Sequence, residues 1–144
     1  MTDPSLLSVS PTPSTVALSE KDPSLDHFVW AITQAADDRK AEDIVVLKVT
    51  NVSYLADYFV IVSGFSRAQV RAIAGSIEEK AEKDYDRKPR QPSGKDDGSW
   101  ILQDYGNVIV HIFMPTERSF YNLEAFWSHA ERISLEDLDP QKTR

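Results

Sequence analysis

Between Trp100 and Phe113 the chain reads Trp-Ile-Leu-Gln-Asp-Tyr-Gly-Asn-Val-Ile-Val-His-Ile-Phe. Two short apolar runs meet at a Tyr-Gly pair, which is the pattern of a β-hairpin. A two-residue turn on Tyr105 and Gly106 sets Asp104 against Asn107, Leu102 against Ile109 and Trp100 against His111. One face then carries Trp100, Leu102, Asp104, Asn107, Ile109, His111 and Phe113. The other carries Ile101, Gln103, Val108, Val110 and Ile112, and reads as core. The first face mixes large aromatics with polar tips, as surfaces that meet another macromolecule often do.

The rest of the chain has to supply the sheet that this hairpin joins. Leu25, Phe28, Val29, Ile32 and Ala36 recur at helical spacing, giving an amphipathic helix from about Ser24 to Lys40. Asp43 to Val49 is a strand with both faces mostly apolar. Asn51 to Ala56 is a connection, and Asp57 to Ser63 is a second strand. A long helix follows with Val70, Ile73, Ala74, Ile77 and Ala81 on one side, ending near Asp86 ahead of Pro89. Residues 87–98 hold two prolines and two glycines and read as a loop with room for a short edge strand. Beyond Pro115 a last helical stripe uses Phe120, Leu123, Trp127 and Ala130, so these four are expected in the core. Tyr121 and Glu124 lie round from it, towards solvent or a partner.

The resulting order, α-β-β-α-(β)-β-β-α, predicts an α+β domain on a mixed sheet of about five strands flanked by helices. The helix between the second and third strands supplies the crossover a parallel pair needs. Residues 1–24 are rich in serine and proline without periodicity and read as a disordered leader. The domain is expected over 25–130, with a polar, frayed tail over 131–144.

At 144 residues there is room for one core. No cysteine is present, so disulfides and thiolate chemistry are excluded. No run is long and apolar enough for a membrane span, and the N-terminus lacks the basic-then-apolar order of a secretory signal. The net charge of −7 disfavours broad nucleic-acid binding and suits a basic protein partner. Arg87, Lys88 and Arg90, with Lys95 nearby, form the one dense basic cluster; it is either a peripheral RNA contact or a solvated loop.

Gly64-Phe65-Ser66 ends a strand and opens a helix, where backbone amides can hold phosphate. Ser66-Arg67-Ala68-Gln69 is also a capping box, with Ser66 at N-cap and Gln69 at N3, and Phe65 and Val70 are spaced for a hydrophobic staple. Capping explains all four residues and is preferred. A nucleotidyl-transfer enzyme needs carboxylates projecting together onto Mg²⁺. Asp84 and Asp86 sit two apart at a helix end and do not face each other, Asp96-Asp97 lie in a loop, and Asp104 has no acidic neighbour on its strand. The three histidines, His27, His111 and His129, form no ligand or triad pattern. His27 and His129 fit helix surfaces, whereas His111 fits a hydrogen-bonded strand position or a polar tip on the binding face. No catalytic residue, metal or cofactor is expected.

The ordered motifs are similar to one known family. They are Ala41-Glu42-Asp43-Ile44-Val45-Val46-Leu47, Ala56-Asp57-Tyr58-Phe59-Val60-Ile61, Gly64-x-Ser66-x-x-Gln69-Val70, Trp100-x-Leu102-x-Asp104-Tyr105-Gly106-Asn107-Val108-x-Val110-His111-Ile112-Phe113 and Arg118-x-Phe120-Tyr121-x-Leu123-Glu124. From about Leu25 to Trp127 the chain resembles the ribosomal silencing factors, RsfS or Iojap. The resemblance implies a nucleotidyltransferase-like fold without the catalytic carboxylates, and a cytoplasmic, non-enzymatic regulator, homodimeric when free. It implies binding to the large ribosomal subunit through protein uL-fourteen, blocking the small subunit and repressing translation and ribosome biogenesis when nutrients are short. Carried over by position, the partner-binding residues are Trp100, Leu102, Asp104, Tyr105 and His111; Asn107 stands where the family usually has Asp. The alternatives are a nucleotidyltransferase-like nucleotide-binding enzyme and an RNA-binding module of ribosome biogenesis.

Overall fold

A computed structural model describes residues 23–50 and 56–140. The leader before Pro23, and most of the 51–56 connection, therefore lie outside the described residues. The elements are α1 (Pro23–Asp38), β1 (Glu42–Lys48), β2 (Tyr58–Ser63), α2 (Arg67–Tyr85), β3 (Arg90–Ser93), β4 (Trp100–Asp104), β5 (Val108–Phe113), α3 (Pro115–Tyr121), α4 (Leu123–Phe126), β6 (Glu131–Ile133) and α5 (Leu135–Leu138). The fold is α+β, with a six-stranded sheet in the order β3-β4-β5-β2-β1-β6. β2 and β5 are parallel and α2 lies in the connection between them; every other pair is antiparallel.

One sheet face is closed by α1 and α2. Phe28, Val29 and Ile32 from α1, and Val70, Ile73 and Ile77 from α2, pack on Val46, Val60, Val62, Ile101, Val110 and Ile112. Tyr58 ties α1 to the sheet, donating its hydroxyl proton to Asp26 Oδ1 at 2.9 Å. Burial and that carboxylate push the phenol pKa up.

α2 begins where the capping pattern placed it. Ser66 Oγ accepts from Gln69 N at 3.0 Å. Gln69 Oε1 reaches one residue further back than an ordinary box and accepts from Phe65 N at 2.7 Å. Its Nε2 donates to the carbonyls of Arg39 and Lys40, at 3.1 Å each, joining the end of α1 to the start of α2. The staple does not form: Phe65 is 61% exposed, so it does not close over the buried Val70.

Two boundaries need correction. The tail is not frayed from residue 131, because β6 adds to the sheet with Ile133 against Val46. α5 then buries Leu138 in the helix-side core. The final helical stripe is also interrupted. Asn122 takes φ 48° and ψ 53°, which ends α3 and turns the chain before α4. That break takes Phe120 off the core line and leaves it 80% exposed.

Candidate docking face

The hairpin turn is centred one residue later than expected. Tyr105 N donates to Val108 O at 2.8 Å, so Gly106 and Asn107 are the central pair. Of the two, Gly106 alone has positive φ, 93°, as the first position of a type II′ turn requires. Asp104 Oδ1 supports the turn by accepting from Gly106 N at 2.7 Å. Asp104 therefore pairs with Ile109, Leu102 with His111 and Trp100 with Phe113. Moving the centre by one moves each partner by two. Since side chains alternate with period two, the same strand residues still share a face, whereas Asn107, expected there, moves into the turn and accepts from Arg87.

On the side of the sheet away from α1 and α2 these residues form rows. Val45, Ile61, His111 and Leu102 make one row, and Leu47, Phe59, Ile109 and Asp104 the next. Phe113 and Trp100 extend it beside Ser63. Trp100, Leu102 and Asp104, on β4, remain half-buried, whereas Ile109 and Phe113 are buried. Ring packing runs across the face: Trp100 stacks on Phe113 (4.9 Å between centroids), and Phe59 meets His111 edge-on (5.4 Å).

His111 is the polar centre of this surface and only 6% exposed. Its Nδ1 accepts from Trp100 Nε1 at 3.3 Å. The other nitrogen, Nε2, is buried without a hydrogen-bond partner among the described residues. Burial alone pulls the imidazole pKa from 6.5 to about 4, so the ring is neutral and its proton sits on Nε2.

Tyr105 does not belong to this face. It is 5% exposed, packs edge-on against Phe28 on the helix side (5.4 Å) and donates to Gln103 Oε1 at 3.2 Å. Gln103 in turn donates to Ala74 O at 3.0 Å, so the buried amide on the core face is satisfied from both ends. Tyr105 continues the alternation of Ile101 and Gln103 onto the helix side, so the strand period itself takes it out of the set that the resemblance implied.

The α3–α4 segment crosses the docking face. Tyr121 packs on Trp100 at 4.6 Å and Trp127 on Phe59 at 5.3 Å. Leu123, Trp127 and Ala130 join the core on this side as partly buried members. Phe120 and Phe126, 80% and 70% exposed, point outward. The sequence reading missed these two; the signal available was Asn122, a residue that accepts left-handed geometry in the middle of a helical stripe.

The other candidate groups are committed elsewhere. Arg87 donates to Tyr105 O at 2.5 Å and to Asn107 Oδ1 at 2.8 Å, with its guanidinium 4.3 Å from the centre of the Phe28 ring. Lys88 pairs with Glu82 and Lys95 with Glu78. Asp84 pairs with Lys80 at 2.7 Å, and Asp86 caps α2 in left-handed geometry. Asp97 accepts from Ser99 within its own loop. Ser66 and Gln69 are occupied by capping. His27 is exposed on α1, and His129 is exposed in the turn after α4 rather than on a helix. Among the described residues no three His, Asp or Glu side chains gather where they could hold a metal, and no helix is long and apolar enough to cross a membrane.

With this geometry in place, comparison with known proteins is informative. The family described as "Ribosomal silencing factor during starvation" matches residues 22–144. A Bacillus subtilis protein named ribosomal silencing factor RsfS is 44% identical over 105 residues, covering 73% of this chain and 86% of the relative. The chloroplastic protein Iojap of Zea mays is 36% identical, over 85% of this chain and 53% of that protein. A crystal structure of a Chromobacterium violaceum protein superposes with a TM-score of 0.68 at 29% identity, covering 74% of this chain and 88% of that one.

Proposed function

The chain belongs to the ribosomal silencing factor family, and from that premise we propose that it silences ribosomes by docking its β4–β5 face on the large subunit. Association with ribosomes and a role in silencing accord with the names its relatives carry. The finer reading takes large-subunit protein uL-fourteen as the partner and obstruction of the small subunit as the mechanism. In this account the chain works in the cytoplasm, represses translation when nutrients are short, and pairs with a second copy when free. It acts by occupying a surface, without a catalytic step.

The observation that carries the reading is the half-buried row Trp100, Leu102 and Asp104 along β4, on the sheet face away from α1 and α2. Trp100 offers a large aromatic anchor, and Asp104 a carboxylate for a basic protein, on a chain of net charge −7. The RNA-binding alternative is weakened because one member of the basic cluster, Arg87, is spent on Tyr105 and Asn107, and Lys88 and Lys95 pair with Glu82 and Glu78.

Co-sedimentation of the purified chain with large ribosomal subunits tests this. The wild-type chain travels with the subunit, and Asp104→Lys reduces the bound fraction. Equal binding by wild type and Asp104→Lys would remove the docking face from the account.

A further inference from the structure

The segment lying across the docking face is held by little hydrophobic burial. Neither α3 nor α4 contains a buried residue, and elements with few buried apolar contacts open more readily than the body of a fold. The two helices meet at Asn122 in left-handed geometry, an elbow with one residue at its bend. Polar contacts fasten it. Arg118 donates from Nε and Nη2 to the two carboxylate oxygens of Glu124, both at 3.0 Å, and from Nη1 to Ser63 Oγ at 2.7 Å. This bidentate pair closes one arm of the elbow on the other, and the Ser63 contact pins both to the end of β2.

Two aromatic feet rest on the sheet on either side of His111. Tyr121 stands on Trp100 and Trp127 on Phe59, and both Trp100 and Phe59 are ring neighbours of His111. Beneath the elbow, His111 Nε2 is a buried donor with no acceptor among the described residues, a state that carries a desolvation cost. Above it, Phe120 and Phe126 are left in solvent. The closed arrangement leaves a donor unpaired inside and apolar rings uncovered outside. A protein surface bearing carbonyl or carboxylate acceptors would relieve both.

We propose that the α3–α4 elbow is a latched lid: Arg118, through Glu124 and Ser63, holds it over the aromatic face, and docking swings it about Asn122 so that His111 Nε2 donates to an acceptor on the partner. This rests on the docking reading above and adds its control. Arg118 is a positioning residue in this scheme, acting through Tyr121 and Trp127. The latch sets the fraction of chains open, and apparent affinity scales with that fraction.

The test reads deuterium exchange at the imidazole C2 positions of the free full-length chain, together with co-sedimentation on large ribosomal subunits. Arg118→Lys and Glu124→Gln each weaken the latch with little change in side-chain size. Each should raise exchange at His111 by about threefold or more, leave the already exposed His27 on α1 unchanged, and tighten binding by a similar factor. Reversing the pair, Arg118→Glu with Glu124→Arg, should return both readouts towards wild type. Asn122→Gly loosens the elbow without touching the latch and should move both in the same direction as the single variants. Unchanged His111 exchange in folded latch variants and in Asn122→Gly overturns the lid. Weaker binding by those variants also overturns it, because the elbow would then be a fixed part of the docking face. Failure of the wild-type chain to co-sediment would sink the docking reading instead, and exchange at His111 would still judge the lid.

Discussion

The indole of Trp100 donates to Nδ1 of His111 across 3.3 Å, joining the half-exposed β4 side of the sheet face to its buried centre. The bond orients the indole and fixes the imidazole tautomer together. A change at either residue is therefore felt at the other.

Replacing Trp100 separates its two roles. Trp100→Ala removes the anchor and its stacking on Phe113 and Tyr121. We expect binding to large ribosomal subunits to fall about tenfold or more, with a folded far-ultraviolet spectrum retained. Trp100→Phe keeps much of the stacking but loses the donor and should fall between the two. Global unfolding of Trp100→Ala would show that the indole is needed by the core.

The buried imidazole makes stability depend on pH. In the unfolded chain His111 takes up a proton near its ordinary pKa of 6.5; in the fold it does so only near 4. Folding therefore resists protonation, and stability is lost as pH falls from about 6.5 towards about 4, by up to about 1.4 kcal/mol per pH unit. Denaturant unfolding of wild type and His111→Gln at about pH 7 and about pH 5 isolates this contribution. Wild type should lose the more stability on acidification. Equal losses would place the proton-sensitive burial elsewhere.

Arg87 supports the fold. Arg87→Ala deprives Tyr105 O and Asn107 Oδ1 of a charged donor and uncovers Phe28. It should destabilise by about 1–3 kcal/mol in denaturant. Binding to large subunits should keep its salt dependence. A flatter salt slope in the variant would return Arg87 to the RNA-contacting set.

The cap of α2 is measurable in the same way. Ser66→Ala should cost about 1 kcal/mol. Gln69→Ala should cost more, because that amide meets Phe65, Arg39 and Lys40 together. A smaller loss for Gln69→Ala would mean that the junction between α1 and α2 is held without it.

What could be read from the sequence was local or parity-protected. The Ser66–Gln69 cap depends on four successive residues, and it forms. The hairpin face survived a misplaced turn because the error moved each pair by two, the repeat of a strand. Tyr105 entered the set by resemblance alone, and the same alternation that puts Ile101 and Gln103 on the helix side puts its ring against Phe28. Phe120 was misjudged because helical spacing assumes an unbroken helix, and one left-handed residue at Asn122 voids it. β6 was invisible because Ile133 is the one strongly apolar residue in a three-residue strand that only β1 can complete. The Arg118–Glu124–Ser63 latch joins residues up to 55 positions apart, a pairing no spacing rule reaches.

Joining of purified ribosomal subunits, followed on density gradients with and without the chain, bears most directly on the silencing mechanism. The account predicts that added wild-type chain lowers the joined fraction and appears in the large-subunit peak, and that Trp100→Ala does neither. Unchanged joining with the chain bound to the large subunit would contradict obstruction, and joining blocked equally by Trp100→Ala would contradict the face assigned to it.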